Sequence, residues 1–199
     1  MNQLFDYISK RTDLTQEVKD FTQSISTIKK IKKGDVLIKE NQIVNKTYFV
    51  VEGCLRSYVF DSHGKEHTLQ FALKNDWISD YIAIFNNEKS CQTVECTSDS
   101  KVIEISISEG IENIFLRFPK IESIHRKDLE RNVVSLQKRI LNQLQLISLD
   151  RYRFFLEQYP EIEKYAQNYH IASYLGITQQ SLSRILSLIH ISEPTRHLR

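Results

Sequence analysis

The chain has 199 residues, 41% of them hydrophobic, and a formal net charge of +2 at pH 7. This composition excludes a disordered chain and suits one large or two small folded domains. The sequence lacks both a secretory signal and an apolar run near the roughly 20 residues that cross a bilayer, so we expect a cytoplasmic protein without a membrane partner.

The first 30 residues carry apolar side chains at the spacing of short amphipathic helices. Asp13 and Thr15 are both candidate N-caps, since their side-chain oxygens can accept a hydrogen bond from a free helix amide. We expect these helices to pack on the domain that follows. The apolar positions are Leu4, Ile8, Leu14, Val18 and Phe21.

Between Lys33 and about Ile107 the sequence changes to short β-rich runs separated by turn residues. The runs are DVLIKE, KTYFVVEG, CLRSYVF, EHTLQFAL, SCQTVEC and KVIEISI, and the turns fall at Gly34, Gly53 and Ser62-His63-Gly64. Strands at this spacing predict an antiparallel β sandwich or jelly roll. With the helices before it, this region forms the first predicted domain, residues 1–118.

No residue pattern in this region indicates an enzyme or a cofactor. His63 and His67, with Glu66 between them, resemble part of a cupin-type metal site, but they lack the arrangement that directs three ligands at one metal. We interpret them as solvated hairpin residues. The sequence also shows no Ser/His/Asp or Cys/His set and no phosphate-cradling glycine loop.

The three cysteines, Cys54, Cys91 and Cys96, are too few and too scattered for a disulfide framework or a zinc site. We expect reduced and mostly buried thiols.

Pro119 begins a long helical pattern in which apolar residues recur at steps of three or four. The first row is Leu129, Val133, Leu136, Ile140, Leu144 and Ile147, and a second row holds Val134 and Leu141. Such a helix either packs on its own domain or forms half of a coiled coil. Two rows favour both contacts at once, and we predict a dimerisation helix over residues 119–148 in a homodimer.

After a further helix that Pro160 ends, the segment from Tyr169 to Ile185 has the pattern of a helix-turn-helix. Ala172 allows a close helix crossing, Gly176 suits a turn with positive φ, and Thr178 can cap the second helix. Leu175, Leu182 and Ile185 are predicted to face inward, and Ile177 to fill the corner between the two helices.

The outward residues of the second helix are Gln179, Gln180, Ser181, Ser183 and Arg184. Amides can read adenine, hydroxyls can bind phosphate, and arginine can bind guanine or phosphate. An ordinary helical hairpin is the alternative interpretation of this spacing.

The final segment, residues 186–199, does not fit the rest of the chain. Residues 186–196 read LSLIHISEPTR, which resembles the translation of a transposase adapter used to prepare sequencing libraries. We therefore expect a non-native tail and a DNA-binding domain, residues 149–185, that is truncated at Ile185.

Over residues 27–185 the chain resembles the Crp/Fnr family of bacterial transcription regulators. The resemblance rests on KKGDVLIKEN and YFVVEGCLR in the β region, and on RYxxFLxxYPEI and HIASYLGIT-x-x-SLSRI near the C-terminus. It implies an α+β fold: an N-terminal antiparallel β jelly roll of the cyclic-nucleotide-binding type, a long dimerisation helix and a C-terminal winged helix-turn-helix. The winged hairpin of the family would follow Ile185.

The resemblance implies a homodimer that places two recognition helices in successive major grooves of double-stranded DNA, about 34 Å apart, on a palindromic site. RNA polymerase is a further implied partner. Carried over by position, Gln179, Gln180 and Arg184 contact bases, and Thr178, Ser181 and Ser183 contact the DNA backbone. Many relatives have Glu at the position of Gln180, so their usual half-site is not expected here.

Family members that bind cyclic nucleotides have Gly-Glu and Arg-Ser pairs, where this chain has Ser79-Asp80 and Lys89-Ser90. Lysine lacks the bidentate fork of arginine, so we expect no cAMP binding and either another ligand or a vestigial pocket. The cysteines do not supply the cluster of the iron-sulfur oxygen sensors. The alternative function is a ligand- or protein-binding sensory module without DNA-binding activity.

Overall fold

The computed structural model describes residues 1–192, with side chains described through Ile189. The helices are α1 (Asn2–Ser9), α2 (Gln16–Ser24), α3 (Tyr81–Asn86), α4 (Ile111–Arg117), α5 (Pro119–Gln145), α6 (Ser148–Gln158), a 3-10 turn (Ile162–Lys164), α7 (Asn168–Leu175) and α8 (Gln179–Ser192). The strands are β1 (Ser26–Ile31), β2 (Val36–Ile38), β3 (Lys46–Glu52), β4 (Leu55–Phe60), β5 (Glu66–Ala72), β6 (Trp77–Ile78), β7 (Thr93–Cys96) and β8 (Ser100–Ser106).

The strands form two antiparallel four-stranded sheets that pack face to face. Sheet A has the order β1-β8-β3-β6 and sheet B the order β2-β7-β4-β5. Alternate residues of both sheets, such as Val50, Leu55, Val94 and Val102, are fully buried in one apolar core between them. This arrangement confirms the predicted jelly roll, because side chains of period two place one apolar face of each sheet inward.

The N-terminal segment combines two confirmed helices with a strand that the sequence interpretation missed. Thr15 is the N-cap of α2, and its side chain accepts a hydrogen bond from the Val18 amide. Residues 26–31, most of which fall in the stretch predicted to form amphipathic helices, instead form β1 and pair with β8. Neighbouring lysines obscured the strand pattern. The strand forms because it pairs with β8, and the Lys29 ammonium lies 2.8 Å from the Glu104 carboxylate across the two strands.

Helix α5 is 27 residues long and starts at Pro119, where proline costs no helical hydrogen bond. Both predicted apolar rows remain largely exposed: Val133, Leu136, Ile140 and Leu144 in one, Val134 and Leu141 in the other. The inclusion of Ile147 in the first row was wrong. The backbone is extended at Leu146 and Ile147, and Ile147 is the N-cap of α6.

Helices α6, α7 and α8 pack around an aromatic core, and we call them the reader domain. Tyr152, Phe155 and Tyr159 lie in this core with Tyr174. Helix α6 ends at Gln158, two residues before Pro160, as the sequence indicated. Leu182 and Ile185 of α8 are buried against the same core, as is Leu175 of α7, so these three positions face inward as predicted.

Helix α8 runs past Ile185 to Ser192, and Leu186 and Ile189 pack against the reader core. The first part of the predicted non-native tail is therefore helical. The rest of that tail, residues 193–199, lies outside the described residues.

Candidate nucleic-acid interface and effector site

The turn between α7 and α8 has the geometry that a helix-turn-helix requires. Gly176 adopts φ 67° and ψ 34°, the left-handed conformation that glycine accepts most easily. Its amide and that of Ile177 close the end of α7 by bonding to Ser173 and Ala172 carbonyls. The chain therefore reverses tightly enough to bring α8 across α7.

Thr178 starts α8 as predicted, because its hydroxyl oxygen accepts a hydrogen bond of 3.1 Å from the Ser181 amide. The two side-chain hydroxyls also lie 2.9 Å apart. Both residues thus organise the helix start in addition to any contact with a DNA backbone.

The remaining predicted contact residues share one solvent-facing side of α8. Gln179, Gln180, Ser183 and Arg184 are all exposed. The structure brings them together on a rigid helix, where amide, hydroxyl and guanidinium groups are free to meet a groove. We call this surface the reading face.

The four predicted effector residues are not arranged as one open site. Asp80 is fully buried and caps α3: its carboxylate accepts hydrogen bonds from the Ala83 amide, the Ser90 hydroxyl and the Cys91 amide. Burial raises the pKa of Asp80, but these hydrogen bonds outweigh it and hold the pKa below its ordinary value. Asp80 is thus an anion already supplied with donors.

Ser79 and Lys89 form their hydrogen bonds with other parts of the β domain. The Ser79 hydroxyl donates to the Lys46 carbonyl at 2.8 Å, while Lys89 is exposed and its backbone bridges to Ile43. Asp80 is therefore hydrogen-bonded to Ser90, and Lys89 is not part of this cluster.

The β4–β5 hairpin holds the histidines that resembled a metal site. The His67 Nε2 atom lies 2.8 Å from the Asp61 carboxylate, and His63 is exposed at the tip of the turn. Backbone and His67 contacts lower the pKa of Asp61 to about 2, the His67 hydrogen bond contributing most. Within residues 1–189 no three His, Cys, Asp or Glu side chains are grouped closely enough to hold a metal ion.

The cysteines do not approach one another as a disulfide. Cys54 and Cys96 are buried and Cys91 is exposed. Burial raises the pKa of the Cys54 thiol to about 12, so it is an inert core residue at neutral pH.

A buried polar cluster between the two halves of the molecule escaped the sequence analysis. Arg56 of β4 is 1% exposed and pairs with the Glu66 and Glu95 carboxylates, and His170 of α7 lies over the same pairs. Only the charge of these residues is visible in the sequence, and charged residues usually mark a solvated surface.

Comparison with known proteins gives one family match. Residues 28–115 match the cyclic nucleotide-binding domain. This match begins within β1 and ends within α4, so it covers nearly all of the jelly roll.

Similarity to whole proteins extends over the reader domain as well. The chain is 24% identical to an anaerobic regulatory protein of Haemophilus influenzae, over 86% of this chain and 70% of that protein. It also resembles the structure of FixK2 from Bradyrhizobium japonicum, with a TM-score of 0.73 and 19% identity over 84% of this chain and 86% of that chain. A protein described as a transcriptional regulator of the Crp/Fnr family, from Eubacterium rectale, gives the same TM-score and identity over 94% and 88%.

The Haemophilus influenzae and Eubacterium rectale proteins are both described as regulators. In the part of the chain that the structure describes, no helix is both long and apolar enough to span a membrane.

Proposed function

We propose that this member of the Crp/Fnr family of transcription regulators acts as a homodimer that binds a palindromic DNA site through its C-terminal helix-turn-helix. The order of elements supports this proposal. We propose a sensor domain over residues 1–118, a dimerisation segment over 119–148, of which α5 forms Pro119–Gln145, and a DNA-binding domain after it. RNA polymerase is a proposed further partner.

The reading face of α8 carries the proposal. It presents Gln179, Gln180 and Arg184 on the exposed side of a helix whose other side is fixed in the reader core. A glutamine can bond adenine at two atoms and an arginine can do the same with guanine, so three residues can specify bases in the major groove. We propose that Ser181, Ser183 and Thr178 contact adjacent phosphates.

The exposed rows of α5 support a homodimer. Val133, Leu136, Ile140 and Leu144 are each at least half exposed, and Leu141 adds a second row beside them. An apolar stripe of this length on one helix is typical of a surface that a partner helix covers. A two-fold dimer would place two reading faces on one side of the DNA, one helical turn apart.

The sensor domain of this dimer is proposed not to bind cAMP. The buried Asp80 carboxylate already accepts the hydrogen bonds that the Ala83 amide, the Ser90 hydroxyl and the Cys91 amide donate. A phosphate brought to the same place would lose those donors and would face a negative charge. Titration calorimetry with cAMP tests this point, and binding at micromolar concentration would contradict it.

The function is tested by selecting bound fragments from random double-stranded DNA. The proposal predicts enrichment of an inverted repeat and an affinity that falls steeply with salt. The absence of any enriched sequence would favour the sensory module without DNA binding.

The experiment needs two forms of the chain, because residues 186–199 are proposed to be a non-native tail. One form is the chain as printed, and the other carries the C-terminus read from an independently sequenced clone. Recovery of the same tail from that clone would contradict the adapter interpretation.

A further inference from the structure

The reader domain is bonded to the edge of the sensor domain, and this contact is distinct from the reading face. Strand β5 is the outer strand of sheet B, so one side of its backbone has no neighbouring strand. Side chains from α7 and α5 supply the missing hydrogen bonds on that side.

Ser173 of α7 bonds the β5 backbone in both directions. The Thr68 amide donates to the Ser173 hydroxyl oxygen at 2.8 Å, and the same hydroxyl donates to the Glu66 carbonyl at 2.8 Å. One serine therefore satisfies a donor and an acceptor of the edge strand, as a paired strand would.

Arg139 of α5 ties the same strand to the end of α7. Its guanidinium donates to the Leu69 carbonyl at 2.7 Å, the Thr68 carbonyl at 2.9 Å and the Tyr174 carbonyl at 2.7 Å. The group also lies over the Tyr174 ring, 3.9 Å from its centroid. The Arg139 side chain thus connects α5, on which it lies, to both sheet B and the reader domain.

Beneath these bonds, α7 covers the outer face of sheet B. Arg56 is 1% exposed and His170 4% exposed, beside the Glu66 and Glu95 carboxylates. Phe71 of β5 inserts into the reader core, with ring centroids 5.5 Å from Tyr174. The contact therefore combines this buried polar cluster with an apolar part, in which Phe71 also meets the rings of Phe155 and Tyr159.

The reading face stays exposed in this docked arrangement, since Gln179, Gln180 and Arg184 all point to solvent. The reading face can therefore contact DNA while the reader domain is docked on β5. A dimer must hold both readers at the separation of two successive major grooves, so any freedom of the reader relative to α5 lowers affinity for a fixed site.

We infer that Ser173 and Arg139 are positioning residues for DNA binding, which dock the reader domain on strand β5 and thereby set the half-site spacing that the dimer prefers. This inference rests on the proposed function. Because β5 pairs with β4 inside sheet B, a displacement of that sheet would move the reader with it.

The test compares Ser173→Ala and Arg139→Gln with the wild-type chain on inverted repeats whose central spacer varies in length. Each loses two or three hydrogen bonds, and we expect affinity at the optimal spacer to fall about tenfold. The dependence on spacer length should flatten, while affinity for a single half-site should stay within about twofold of wild type.

Ser173→Thr, which keeps the hydroxyl, should retain the wild-type spacer preference. Ser9→Ala is the matched serine control, because Ser9 is exposed on α1 and its hydroxyl donates to the Asp6 carbonyl of the same helix. Arg117→Gln on α4 is the arginine control. Hydrogen exchange at the Thr68 amide reports the docking without DNA, and Ser173→Ala should speed it at least about tenfold.

Unchanged exchange at Thr68 would overturn the docked contact. Faster exchange with an unchanged dependence on spacer length would overturn the positioning role. Tighter DNA binding by the variants would also overturn it, because it would show that docking inhibits DNA binding. If wild-type protein selects no DNA sequence, the proposed function fails, and the exchange result still decides whether the reader is docked.

Discussion

At the scale of single residues, Arg184 is the side chain of the reading face with the largest expected effect on DNA affinity. Its guanidinium is exposed on α8 and is the one long cation among the proposed contact residues. Arginine combines a full charge with a planar fork of donors, which suits both guanine and phosphate.

We predict that Arg184→Ala costs about 1–3 kcal/mol of binding free energy at a selected DNA site. A fluorescence-anisotropy titration at fixed salt measures it. Arg117→Ala removes the same charge from α4 in the sensor domain and should leave the affinity nearly unchanged. Equal losses from the two variants would indicate a general effect of charge and contradict a specific contact.

We expect His170, which lies at the contact between the two domains, to make the stability of the protein depend on pH. Burial, assisted by the neighbouring Arg56 guanidinium, lowers the pKa of His170 to about 4 from its ordinary 6.5. Within the described residues, neither ring nitrogen has a hydrogen-bond partner, so the folded protein holds this imidazole neutral.

Since the unfolded chain takes up the proton first, His170 should cost stability as the pH falls from about 6.5 to about 4. Over that window the loss in the free energy of unfolding should reach about 3 kcal/mol. Urea unfolding of wild type and His170→Phe at several pH values measures it. A difference between the two proteins that does not change with pH would contradict the lowered pKa.

At the scale of elements, the α7–α8 turn depends on the backbone of Gly176. Its φ of 67° lies in the left-handed region, and among the described residues an added Cβ would come within 4 Å of the Gln143 amide nitrogen alone, at 3.6 Å. Space is therefore sufficient, and the cost of a side chain comes from the backbone conformation itself.

Gly176→Ala should reduce the free energy of unfolding by about 1–2 kcal/mol through this strain. It should also weaken DNA binding, because the turn sets the angle between α7 and α8. Gly64→Ala is the matched control: Gly64 has φ 74° in the β4–β5 hairpin and open space around it. It should lose similar stability without losing DNA affinity, and a loss of both would contradict the role of the turn.

At the scale of the whole molecule, the proposed homodimer rests on the exposed apolar rows of α5. Ile140 lies near the middle of the first row and is 55% exposed. In a two-fold dimer every substitution on this helix enters the interface twice, so its effect is doubled.

Ile140→Glu should convert the dimer to monomer at micromolar concentration, with a rise in Kd of at least about a hundredfold, because two carboxylates would be buried without partners. Sedimentation velocity measures the change. Leu116→Glu makes the same substitution at an exposed leucine of α4 and should leave the oligomer intact. A wild-type monomer at these concentrations would contradict the proposed dimer.

The sequence by itself determined the features that follow from local pattern. Alternating apolar residues predicted the strands of the jelly roll, and the row from Leu129 to Leu144 predicted α5. Gly176 and Thr178 predicted the turn and the helix start that the structure contains. Each of these depends on neighbours within a few residues, so the pattern of side chains is enough to indicate it.

Only the tertiary structure decided the features that depend on distant partners. β1 forms because β8 lies beside it, and Asp80 is buried because Ser90 and Cys91 supply its hydrogen bonds. The docking of Ser173 on Thr68 joins residues 105 positions apart. In a sequence, a charged or polar side chain is expected to lie on the surface. Only the fold shows which polar side chains are buried together, because their burial requires partners that the local sequence does not specify.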